Sequence, residues 1–319
     1  MRAFIFPGQG SQSVGMGAAL TAASPVARET FEEVDDALGQ KLYRIMVDGP
    51  QDDLTLTENA QPAIMANAIA TLRVLEKEAG IRLADKADYV AGHSLGEYSA
   101  LCAAGAFDLS TTARLLKRRG RAMQAAAPVS EGAMAALLGA DIDKAQAIAG
   151  AARDSILAEG GGELVCTVAN DNDPSQVVIS GHRAAIERAV GLAKEMGAKR
   201  AVLLPVSAPF HCPLMQDAAD AMDTALAEAT IAAPFVPLFC NVDAVAIADP
   251  GAIRAALVAQ VTGMVRWRES VLAMAEVGVT HFVEFGGKVL GPMVKRIAPD
   301  VEVMSIVSMD DIEALVKVL

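Results

Sequence analysis

Aromatic residues make up only 4% of this 319-residue chain, with a single tryptophan, and no basic stretch carries the ring platform on which nucleic-acid bases stack. Positive charge is scarce as well. The 27 Lys and Arg against 39 Asp and Glu leave a net charge of −12, which disfavours nucleic acid and anionic membranes as partners. The four cysteines, Cys102, Cys166, Cys212 and Cys240, are widely spaced and form no C-x-x-C pair, a pattern that argues against disulfides and a zinc site and predicts reduced, buried thiols. No apolar run approaches the roughly 20 residues of a membrane span. The chain opens on a strand-like Ala3-Phe4-Ile5-Phe6 rather than a charged leader, so a soluble, cytoplasmic protein is expected. There is no P-loop lysine pattern and no metal-ligand triplet, and neither a metal nor a resident cofactor is expected.

What the chain has instead is apolar mass. At 53% hydrophobic and 21% charged residues it can bury a large core. Short apolar runs alternate with longer segments of helical period, the mark of an α/β fold with a mostly parallel sheet, similar to an α/β-hydrolase core. One interval departs from this alternation. The pattern predicts strands over 133–138, 164–169, 177–180 and 201–204, with helices over 142–152 and 184–196. That is the β-α-β-β-α-β order of a ferredoxin-like unit. The expected organisation is a discontinuous large domain, 1–129 and 205–319, with an inserted subdomain, 130–204, and a ligand cleft between them.

Gly92-His93-Ser94-Leu95-Gly96 places a serine between small residues where a predicted strand, 88–91, runs into a predicted helix, 95–104. Such a nucleophile elbow exposes the hydroxyl and aims main-chain N–H groups of a helix start at charge developing beside it. The same five residues also fit an ordinary glycine-lined helix start. Four histidines could serve the serine. His281 opens a predicted strand and His182 lies between a strand and a helix, both structural by default; His93 adjoins the serine but diverges from it, which suits a supporting role. His211 remains, in a loop stiffened by Pro209 and Pro213, as a residue that must meet a distant serine requires.

On the helix predicted from Ser110 to Ala126, Arg119 falls on the apolar side with Leu115, Leu116, Ala122 and Met123. Its guanidinium is therefore ion-paired, snorkelling outward, or facing a cavity where it could hold a carboxylate through two parallel hydrogen bonds. The loop Phe6-Pro7-Gly8-Gln9-Gly10-Ser11-Gln12 superficially matches a dinucleotide turn, but Ser13 stands where the third glycine belongs. A glycine-flanked Gln9 suggests donors brought close to a bound group.

Together, Pro7-Gly8-Gln9-Gly10-Ser11-Gln12, Gly92-His93-Ser94-Leu95-Gly96-Glu97, Arg119-Gly120 and Phe210-His211 occur in the order and spacing of one family. Over nearly its whole length the chain resembles the malonyl-CoA:acyl-carrier-protein transacylases of bacterial type II fatty-acid synthesis. The resemblance implies an S-malonyltransferase with malonyl-CoA and acyl carrier protein as partners, and with CoA and carrier pantetheine as substrates rather than cofactors. By it, Ser94 is the acylated nucleophile and His211 its base and acid. Gln9 and Leu95 main-chain N–H groups hold the oxyanion, while Arg119 binds the malonyl carboxylate, with His93 and Gln260 beside the substrate. The family histidine is oriented by a main-chain carbonyl near a glutamine, a position Gln260 matches. Leu95 and Phe210 resemble malonyl-selective members. The Gly286-Gly287-Lys288 stretch is one residue shorter than the family's Gly-Pro-Gly-Lys.

Because family carriers are acidic and this chain is too, docking requires local positive charge; exposed Arg114, Lys117, Arg118, Arg121, Lys199 and Arg200 are the expected patch. A monomer is expected. Two other classes compete: a serine hydrolase, for which Asp171, Asp173 or Glu187 would have to serve the histidine, and a noncatalytic dinucleotide or scaffold protein.

Overall fold

Ala3, Phe4, Ile5 and Phe6 are all fully buried because the strand they form is central, flanked by neighbours and covered on both faces. The computed structural model describes residues 1–128 and 130–319, so the expected boundary at residue 129 lies outside the described residues. The chain lays down β1 (Arg2–Phe6) and β2 (Tyr89–Gly92), then β3 (Gly132–Leu138), β4 (Cys166–Asp173), β5 (Gln176–His182) and β6 (Arg200–Leu203). It closes with β7 (Leu238–Phe239), β8 (Ala246–Ile247), β9 (His281–Phe285) and β10 (Glu302–Ile306). The first sheet has the order β10-β9-β1-β2-β7-β8, parallel throughout except for β8 against β7. Phe4 and Phe6 feed the core on one face while Ala3 and Ile5 feed another on the opposite face, the period-2 signature of a strand buried on both sides.

Helix Thr57–Glu78 lies under this sheet and is buried around most of its circumference, as a helix apolar on all sides must be. Helix Leu109–Ala125 packs against it.

The second sheet, β4-β5-β3-β6, is antiparallel and carries helices Ile142–Ala158 and Arg183–Ala193, the ferredoxin-like arrangement expected from the strand order. Alternation along β3 assigns its two faces. Ala133, Ala135 and Leu137 pack with the sheet's own helices, whereas Met134 and Ala136 join the main core. The second sheet is thus built to pack one face against its own helices and the other against the core of the first sheet.

Two elements run well beyond their predicted ends. β4 continues through Asn170-Asp171-Asn172-Asp173, a polar run that ends the apolar pattern in sequence. Its side chains find partners in the main domain: buried Asp171 receives two hydrogen bonds from Arg268 Nε, at 2.9 and 3.1 Å, and Asp173 pairs with Arg296 at 2.7 Å. Main-chain bonds between Val265 and both Ala169 and Asp171 extend the seam. Helix Ile142–Ala158 passes through the solvent-facing Arg153 and Asp154. After the His211 loop, a 3₁₀ turn at Pro213–Met215 leads into helix Gln216–Glu228. All four cysteines are free; three are buried and Cys102 is half-buried. Among the described residues no helix is long and apolar enough to cross a membrane.

The Asp171–Arg268 pair generates a test. Arg268→Ala strands a buried carboxylate, and is expected to lower the unfolding free energy by about 3 kcal/mol, measured as a lower urea midpoint with unchanged slope.

Candidate active site

Strand β2 turns into helix Gly96–Ala103 with only three residues between them, and Ser94 occupies the turn with φ of 54°. A non-glycine residue in the left-handed region stores strain that surrounding contacts must hold. Those contacts are close. A Cβ on Gly92 would lie 1.9 Å from the Gly96 carbonyl carbon, and one on Gly96 would lie 2.2 Å from the Phe6 oxygen, so neither position of the turn admits a side chain. The serine is thereby raised into a cavity of about 310 Å³ between the two sheets.

His211 reaches it from the opposite wall. Its own φ is 57°, and Nε2 lies 2.8 Å from Ser94 Oγ. Nδ1 is 2.8 Å from the Gln260 carbonyl oxygen, which can only accept. That bond fixes the tautomer: Nδ1 carries the proton and Nε2 is free to accept from the serine. Between the two prolines of the loop, the Cys212 thiol donates to the Pro209 carbonyl at 3.1 Å. Burial, and after it the positive charge of Arg119, pushes the His211 pKa down to about 3.

Arg119 is 1% exposed and lines the same cavity, resolving the three sequence-level alternatives. Its guanidinium donates to Gln61 Oε1 at 2.9 Å, Gln260 Oε1 at 2.8 Å and Ser94 Oγ at 3.2 Å. Among the described residues none of the ion pairs includes Arg119, and its buried Nε has no partner. The nearest acid along the elbow, Glu97, is wholly buried and turned to other partners: its two oxygens accept from the Asn241 N–H and Gln260 Nε2, and desolvation pushes its pKa up to about 8. The site holds a buried cation that makes no direct ion pair among the described residues, beside the hydroxyl that His211 contacts.

Gln9 and Leu95 also line the cavity, and among the described residues neither main-chain N–H donates a hydrogen bond. Gln9 Nε2 makes a long contact of 3.4 Å to Thr57 Oγ1. His93 borders the cavity while Nε2 meets Asn172 Oδ1 of β4 at 2.7 Å, tying elbow to insertion. Gln260 corrects an expectation: placed beside the substrate by resemblance, it is fully buried and does not line the cavity. Both ends of its side chain are spent within the protein, on Arg119, the Ser94 carbonyl and Glu97.

The basic patch needs one correction: Lys117 is buried and pairs with Glu58 at 2.9 Å. Arg114, Arg118 and Arg121 are exposed as expected, with Arg121 paired to Glu58 at 2.8 Å and Arg118 to Glu228 at 3.1 Å. Lys199 and Arg200 are exposed. Among the described residues no carboxylate serves the histidine: Asp171, Asp173 and Glu187 are held by Arg268, Arg296 and Arg183. His182 accepts from Val165 N–H and His281 lies at the surface against Thr280. The shortened loop has a defined path: the Gly286 carbonyl accepts from Asn67 Nδ2 at 3.0 Å, and Gly287 abuts Pro7.

Sequence reasoning missed Gln61, Glu97, Asn170 and Asn241. Gln61 had a signal, being polar within an otherwise apolar helix run, Ala60 to Met65. Asn241 had none.

Burial of neutral His211 fixes a sign. Unfolded, the imidazole takes a proton near pH 6.5; folded, it resists until about 3, so stability falls as pH drops through 6.5. Between about pH 7 and pH 5, His211→Gln is expected to lose about 2 kcal/mol less unfolding free energy than the parent, measured by urea titration.

The acyl transferase domain family matches residues 3–287. The malonyl CoA-acyl carrier protein transacylase of Escherichia coli (strain K12) is 46% identical over 296 residues, 92% of each chain. That of Bacillus subtilis (strain 168) is 41% identical over 318 residues, 99% of this chain and 96% of the other. Among solved structures, the acyl-carrier-protein-S-malonyltransferase of Bartonella henselae superposes with a TM-score of 0.94 at 52% identity, covering 99% of this chain and 98% of its own. A malonyl-transacylase in complex with its type II PKS acyl-carrier protein superposes at 0.93 with 37% identity, covering 100% and 99%.

Proposed function

The chain belongs to the acyl transferase domain family, and we propose that it moves a malonyl group from malonyl-CoA to the pantetheine thiol of an acyl carrier protein through a malonyl-serine intermediate. The observation that carries the diacid assignment is Arg119: a buried guanidinium on the cavity wall that makes no direct ion pair among the described residues, 3.2 Å from Ser94 Oγ. A malonyl carboxylate supplies the missing charge.

In the first half-reaction His211 Nε2 takes the Ser94 Oγ proton as Oγ bonds to the thioester carbonyl carbon. The carbonyl oxygen becomes an oxyanion facing the Gln9 and Leu95 main-chain N–H groups. As the tetrahedral centre collapses, the carbon–sulfur bond breaks and His211 returns the proton to the CoA sulfur. The pantetheine thiol then retraces the path: it gives its proton to His211, attacks the malonyl ester, and Ser94 leaves with the proton. The Gln260 carbonyl keeps Nδ1 protonated throughout and stabilises the imidazolium that forms transiently.

Arg119 gives selectivity through the cost of being left alone. An acetyl group reaches the same serine but leaves the guanidinium unpaired in a closed site, and a site built to pair a charged group discriminates strongly against an analogue lacking it. The relatives named as malonyl transacylases support this reading.

Incubation with malonyl-CoA, with the adduct located by peptide mass spectrometry, tests the reaction: malonyl on Ser94 that survives water and moves to pantetheinylated carrier protein is expected. Rapid loss to water would make the protein a thioester hydrolase, and no adduct would reject the nucleophile. Arg119→Ala is expected to slow malonyl transfer by at least about 100-fold while acetyl transfer is equal or improved; an unchanged malonyl-to-acetyl ratio would overturn the carboxylate assignment.

A further inference from the structure

The elbow creates a backbone problem that the sheet cannot solve. Strand β2 pairs with β7 through Val90 and Ala91, and the ladder then stops because the chain swings into the Ser94 turn. The Gly92 carbonyl and the Ser94 N–H are left facing the end of β7, buried away from water, where unpaired groups are costly. Two residues beyond β7 stands Asn241, fully buried. Its Oδ1 accepts from Ser94 N–H at 2.8 Å and its Nδ2 donates to the Gly92 carbonyl at 2.7 Å. The side-chain amide thus takes the place of one further rung of backbone.

Asn241 is itself immobilised. Its N–H donates to Glu97 Oε1 at 3.3 Å, its carbonyl accepts from Arg266 N–H at 2.9 Å, and Gln260 Nε2 contacts Oδ1 at 3.2 Å. It touches neither the cavity nor the reacting atoms. We propose that Asn241 is a positioning residue: by bridging Gly92 and Ser94 it holds the serine in its left-handed conformation, and so sets where Oγ lies relative to His211 and where the Leu95 N–H points. The strain at Ser94 identifies what is being held, since a serine released from the bridge relaxes toward negative φ, carrying Oγ away from Nε2. The inference rests on the proposed acylation of Ser94.

Rapid-quench measurement of Ser94 acylation by malonyl-CoA tests it, first on the parent protein, then on Asn241→Leu and Asn241→Asp. If the parent forms no malonyl-Ser94, the transfer reading itself fails and this inference with it. If the parent acylates, Asn241→Leu is expected to react about 100-fold more slowly, the loss typical of a reacting group displaced by about 1 Å. The KM for malonyl-CoA stays within about threefold, since Arg119 and the cavity walls are untouched. A folded Asn241→Leu protein acylating at the parent rate would overturn the proposal. Asn241→Asp serves where Leu fails to fold. A protonated carboxyl reproduces the amide's one acceptor and one donor, whereas a carboxylate cannot donate to Gly92. Its acylation rate is expected to rise about 10-fold from pH 8 to pH 5.5 relative to the parent, as the bridge is restored. A pH profile and rate identical to the parent's would show that the bridge sets nothing.

Discussion

One glutamine joins the parts of the reactive centre, and most of the geometry depends on where it sits. The main-chain carbonyl of Gln260 fixes the His211 tautomer, its Oε1 holds Arg119, and its Nε2 reaches the Ser94 carbonyl and Glu97. Base, anion-binding group and nucleophile come from three distant stretches of chain, yet each is referred to the same residue. The helix Pro250–Thr262 that carries it therefore does for this site what a triad carboxylate does elsewhere, with neutral dipoles instead of charge. A carboxylate in that position would sit within reach of Arg119 and cancel the one charge the cavity needs.

Much of this was legible in the sequence because the relevant signals are local. The elbow is written in Gly92, Ser94 and Gly96 by the steric demand of a strand meeting a helix over the Phe6 carbonyl, and Arg119 stood out because a cation on an apolar helix face must have a reason. The inserted sheet followed from strand and helix order alone. What was not legible depends on long-range pairing. Lys117 looked solvent-exposed on its helix, but the carboxylate that buries it, Glu58, lies 59 positions earlier. Asp171 and Asp173 looked like triad acids until their arginines, on the other domain, took them up. Asn241 belongs to no motif, since a side chain that stands in for a missing rung of sheet is recognisable only once the sheet is known.

The seam along β4 gives the insertion a different character from a mobile lid. Asp171, Asn172 and Asp173 each bond into the main domain, through Arg268, His93 and Arg296, with Asn170 on the cavity wall beside them. Neighbouring residues of one strand, alternating in direction, stitch both faces of its end. The cavity is thus bounded on one side by residues tied to both sheets, with Met134 and Phe210 on its apolar wall and Arg119 and His211 among its polar groups.

The position of Arg119 also couples recognition to reactivity. Its guanidinium donates to Ser94 Oγ, occupying a lone pair of the hydroxyl, and its charge is the second cause of the weak basicity of His211. In the proposed reaction a substrate carboxylate would draw the guanidinium's field onto itself, freeing the hydroxyl and raising the proton affinity of the imidazole in the same event. Under that proposal the arginine would be an interlock, tying the readiness of nucleophile and base to the charge of the acyl group delivered to them.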